Sequence, residues 1–114
     1  MNLQLVIFDM AGTTLRDNHE VEACFAQAAH DTGLYATDER ILAVQGMAKR
    51  YVFEMLWREQ LGDAADVAVV EEHVATSYQR FTEVLENHYR TQPVEPTEGC
   101  LAMFQWLRER NVNI

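Results

Sequence analysis

The sequence predicts an α/β protein in which one apolar strand opens a core and a long helical insertion then interrupts it. Three observations predict it. Leu3 to Phe8 is almost wholly apolar and runs into Asp9 and a Gly-Thr-Thr turn. From His19 to about Arg90 the apolar residues recur at three- and four-residue spacing. After Pro93 and Pro96 the chain returns to an amphipathic helix and closes on Val112-Asn-Ile114, which has strand character.

A short apolar run bounded by a glycine turn is the pattern of a strand buried on both faces of a parallel sheet. Beyond it, Val21, Cys24, Phe25 and Ala28 share a helical face, and Gly33 stops that helix. Thr37 or Asp38 is placed to cap a short second helix, which Gly46 interrupts. A third helix starts at Met47 or Ala48 and runs to Leu61, with Gly62 as its stop. The strongest periodicity follows, with Val67, Val70, Val74, Tyr78, Phe81 and Leu85 forming one apolar stripe that Tyr89 extends. That stripe reads as a packed helix face. Glu71, Glu72 and His73 beside it read as a solvated face. The Pro93–Pro96 patch reads as a linker, and the helix after Gly99 uses Leu101, Phe104 and Leu107. The expected divisions are 1–17, the first strand and loop; 18–92, the helical insertion; and 93–114, the return linker, helix and start of a second strand.

Composition narrows the partners. The 114 residues carry nine Lys and Arg against eighteen Asp and Glu, a formal charge of −9. Nucleic acid and anionic membranes are bound by neutralising phosphates with cations, so neither is an expected partner. No apolar run approaches the ~20 residues that span a bilayer. No secretion signal is recognisable, and a cytoplasmic location is expected. Cys24 and Cys100 lack ligand spacing and read as small core residues.

The chemistry sits in Val6-Ile-Phe-Asp9-Met-Ala11-Gly12-Thr13-Thr14. A strand that ends in Asp puts its carboxylate at the carboxyl edge of the sheet, where open α/β folds place their sites. Gly12 permits a turn that brings backbone N–H groups toward an anion, and Thr13 and Thr14 add hydroxyls.

This segment resembles the first motif of the haloacid dehalogenase superfamily, an apolar strand followed by Asp-x-Asp-Gly-Thr. The resemblance implies a Rossmannoid core with an inserted α-helical cap. It implies Asp9 as the nucleophile that accepts a phosphoryl group, with magnesium held by Asp9 and the backbone carbonyl of Ala11. Gly12 and Thr13 would contact the substrate. Ala11 stands where phosphatases of the family carry the acid that protonates the leaving group. The Asp-x-Ala-Gly-Thr form resembles the phosphonatase-like branch, in which a cap lysine forms a Schiff base and no such acid is needed. Gly46-Met-Ala-Lys49 is similar to the substrate-contacting cap segment of that branch, so Gly46 and Lys49 are expected at the substrate. Val52 stands where phosphonatases commonly carry a histidine. Pro96-Thr-Glu-Gly99 is similar to the family's return from cap to core.

The resemblance therefore implies a magnesium-dependent hydrolase of a small phosphorylated or phosphonylated metabolite. The family's later Ser or Thr, Lys and acidic pair are expected beyond Ile114, which makes the chain an expected fragment of an enzyme. The alternative is a non-catalytic helical interaction module. A homodimer through the cap is compatible with either.

Overall fold

The computed structural model describes residues 2–114. Its elements are α1 (Glu20–Asp31), α2 (Asp38–Ala43), α3 (Lys49–Leu61), α4 (Val67–Thr91) and α5 (Cys100–Glu109). The expected α/β core is not there. Among the described residues the protein is helical, with 58% helix, 4% strand and no sheet. Among the described residues the β-type pairing consists of isolated bridges, Leu5 with Asn113 in parallel, Ala11 with Leu15 in parallel, and Leu15 with Pro96 antiparallel.

The correction has a physical reason. An interior strand needs neighbours on both edges and cover on both faces, and two short extended pieces supply neither. Leu3, Leu5 and Ile7 are accordingly 51%, 53% and 85% exposed, where an interior strand was expected. At the other end Val112 is buried, while Ile114 is 56% exposed and no second strand forms.

The chain divides into two compact units, Met1–Asn18 with Gln92–Ile114, and His19–Thr91. In the second unit α1, α3 and α4 enclose the main core. Phe25 and Phe53 stack at 4.2 Å, and Phe81 meets both edge-on at 6.0 and 6.2 Å. The stripe on α4 is inward only in part: Val70, Val74 and Phe81 are buried and Leu85 is half-buried, whereas Val67, Tyr78 and Tyr89 are exposed. Ser77 is fully buried. Its hydroxyl accepts from Trp57 Nε1 at 2.9 Å and shares a 2.8 Å hydrogen bond with Thr32 Oγ1, which removes the cost of burying it.

Local signals explain the ends of these helices. Thr37 caps α2 by accepting from the Arg40 amide at 3.2 Å. Gly62 ends α3 and Gly99 precedes α5, both at positive φ. Glu71 and Glu72 are exposed, with Glu71 paired to Arg50, but His73 is half-buried and stacks on Trp57 at 4.2 Å.

In the first unit α5 packs on the segment that precedes Asp9, with Phe8 and Phe104 edge-to-face at 5.3 Å. The Pro93–Pro96 stretch is more than a linker. Arg16 N–H donates to Glu95 O at 2.9 Å, Thr97 N–H donates to Thr14 O at 2.9 Å, and Arg16 pairs with Glu95 at 3.2 Å.

Candidate functional site

The site is built by one tight loop, residues 9–15. Met10 O accepts from the amides of Thr13, Thr14 and Leu15 at 2.9–3.0 Å, and Gly12 N–H donates to Leu15 O at 2.8 Å. These bonds curl the chain back on itself, and Gly12 absorbs the reversal at φ 79°. A Cβ on Gly12 would come no closer than 3.9 Å to a neighbouring atom, the Cβ of Asp17. Conformation rather than crowding therefore requires glycine here.

Two threonines hold the loop. Thr14 Oγ1 donates to Asp9 O at 3.0 Å, and Thr97 Oγ1 donates to Thr13 O at 2.6 Å. Thr13 contributes its carbonyl, and the expected hydroxyl role belongs to Thr14. The Thr97 contact joins residues 84 apart in sequence. No local pattern announces it; the only hint is a β-branched hydroxyl next to the Pro96 turn.

The Asp9 carboxylate and the Ala11 carbonyl, like Gly12 O and Thr13 Oγ1, have no hydrogen-bond partner among the described residues. Asp9 is exposed, and among the described residues its carboxylate makes no hydrogen bond or ion pair. The Ala11–Leu15 bridge uses Met10 O and Gly12 N–H, so the Ala11 carbonyl is left on the outer edge of the turn, where it accepts no hydrogen bond. Carboxylate and carbonyl are hard oxygen donors suited to magnesium, which binds through one or two protein oxygens and retains water. The residues present fit the ion.

A cavity of about 200 Å³ lies beside the loop, lined by Phe8, Thr13, Thr14, Thr97, Cys100 and Phe104. Asp9 does not line it. The hydroxyls of Thr14 and Thr97 are already given to backbone carbonyls, while Thr13 and Glu98 also line the cavity.

Asp9, Ala11, Gly12 and Thr13 thus come together in one loop of the first unit. Gly46 and Lys49 lie in the second unit. Gly46 sits at φ 86° between α2 and α3. Lys49 opens α3, and its Nζ donates to Met47 O at 3.2 Å, leaving the ammonium with further donors for an anion.

Neither family models, nor curated proteins, nor solved structures give a match to this chain. The functional reading therefore stands on the loop. Among the described residues no helix is long and apolar enough to cross a membrane.

Proposed function

We propose that this chain carries the nucleophile of a phosphoryl-transfer hydrolase resembling the phosphonatase-like haloacid dehalogenases. The substrate class is a small phosphorylated or phosphonylated metabolite. One observation supports the reading: the Asp9 carboxylate and the Ala11 carbonyl are the two oxygens the resemblance assigns to magnesium, and neither has a hydrogen-bond partner among the described residues.

An Asp9 oxygen attacks phosphorus, the bond from phosphorus to the leaving group breaks, and an aspartyl-phosphate forms that water then hydrolyses. Asp9 and the Ala11 carbonyl would hold magnesium, which would supply positive charge to offset that of the phosphoryl group. Gly12 and Thr13 keep the loop in the shape that presents Asp9. Ala11 can donate no proton, which favours a leaving group that departs without one, such as a carbanion delocalised into an iminium. Lys49 is the residue proposed to bind the substrate anion and, with an aldehyde substrate, to form that iminium.

The test uses the whole chain with magnesium and beryllium trifluoride, which mimics the phosphoryl group on aspartate. Fluorine NMR should show a bound signal that Asp9→Asn abolishes. Phosphate esters and phosphonoacetaldehyde, assayed with and without magnesium, test turnover. A chain that neither binds the mimic nor hydrolyses any of them has no such function.

A further inference from the structure

Thr97 gives two donors to consecutive carbonyls of the Asp9 loop. Its Oγ1 donates to Thr13 O at 2.6 Å, and its N–H donates to Thr14 O at 2.9 Å. Each of those carbonyls belongs to a peptide whose N–H is also in use, because Thr14 N–H and Leu15 N–H both donate to Met10 O, at 2.9 and 3.0 Å. In a planar trans peptide the C=O and the N–H point in opposite directions. The 13–14 and 14–15 peptides are therefore held at both ends, by Thr97 on one side and by Met10 O on the other. Thr14 also donates its Oγ1 to Asp9 O at 3.0 Å. The carbonyls of Asp9 and Met10, which lead the chain out of the carboxylate position, are thus both bound by groups whose peptides Thr97 orients.

Thr97 is itself anchored within the same unit as the loop. Its carbonyl accepts from Cys100 N–H at 3.1 Å in the turn that opens α5. Just before it, Pro96 forms a bridge with Leu15, and Glu95 O accepts from Arg16 N–H. Of the two bonds that Thr97 gives the loop, the one to Thr13 O alone depends on its side chain.

We infer that Thr97 is a positioning residue for the nucleophile, acting through the Thr13 and Thr14 peptides to fix the backbone from which Asp9 projects. The inference rests on the phosphoryl-transfer reading of Asp9. Attack on phosphorus tolerates little displacement of the attacking oxygen, so a loop free to open at Thr13 presents Asp9 less well. The hydroxyl of Thr97 is spent on Thr13 O, and its effect is transmitted through the loop.

The test compares the whole wild-type chain with Thr97→Val and Thr97→Ser. Valine keeps the backbone bond to Thr14 O and loses the side-chain bond to Thr13 O; serine keeps both. Titration with beryllium trifluoride and magnesium, followed by fluorine NMR, should give a dissociation constant about fivefold higher in Thr97→Val, the net worth of one hydrogen bond. Thr97→Ser should bind as the wild type does. Without magnesium or the mimic, hydrogen exchange at the amides of Thr14 and Leu15 should also quicken about fivefold in Thr97→Val relative to the amides of α5, and serine should restore it. A merely structural bond would speed loop and α5 amides alike. That outcome, equal affinity in wild type and Thr97→Val, or failure of serine to restore either readout overturns the inference while Asp9 keeps its role. A wild-type chain that does not bind the mimic overturns the reading of Asp9, and the inference falls with it.

Discussion

Gly12 separates backbone conformation from packing. The space beside it is open to within ordinary contact of Asp17, yet φ is 79°. Gly12→Ala should therefore cost roughly 1–2 kcal/mol through the left-handed penalty alone, read as a lowered denaturant midpoint. The loop's other fastener is Thr97. Thr97→Val removes the hydrogen bond to Thr13 O while keeping the shape, and about 1 kcal/mol should be lost; a neutral change in chemical denaturation would mean the loop holds without it. Asp31 sets an acid limit. The guanidinium of Arg80 (2.8 Å) and then the Gln27 amide (2.7 Å) hold its carboxyl below the usual carboxylate value. A carboxylate whose folded pKa is depressed contributes stability above its unfolded value, near pH 4, and loses it as pH falls through the folded pKa. Stability measured against pH should fall less steeply below about pH 4 in Arg80→Ala than in the wild type.

At the scale of elements, α1, α3 and α4 depend on three interlocked phenylalanines. Phe53 is 0% exposed and Phe25 1%. Phe53→Ala should cost about 3–5 kcal/mol, and a thermal midpoint close to wild type would refute the packing described for it. These helices were legible because a 3.6-residue repeat is a local property: Val70, Val74 and Phe81 could be assigned inward from spacing alone. Ser77 could not. It lies on the same inward side, but a serine there reads as an interruption until Trp57 and Thr32 are seen to bond it. His73 was misplaced for the same reason, since its stacking partner lies on another helix.

For the whole molecule, the two units differ in how much they bury. The second unit holds a core that includes Phe25, Phe53, Trp57, Val74 and Phe81. Among the described residues of the first unit, the buried apolar side chains are Cys100, Leu107 and Val112. Local stability follows buried apolar contact. Hydrogen exchange on the whole chain should therefore show the amides of α5 exchanging well before those of α1, α3 and α4. Uniform protection across both units would contradict the division. The Cys24 thiol belongs to the protected part. Burial, and then the charge of Glu20, push its pKa up, so it should resist alkylation until the second unit opens.

The sequence by itself determined the helices, several of their stops and the Asp9–Thr14 turn, because each depends on residues within a few positions of one another. Only the tertiary structure decided the rest. A sheet is a property of strands that meet from far apart, and Leu3 to Phe8 found one bridge at Asn113 instead of neighbours on both edges. The same distance hid the Thr97 bond to the loop and the return of Glu95 and Pro96 against it. A local pattern states what a segment prefers to bury. It cannot state whether enough chain arrives to bury it.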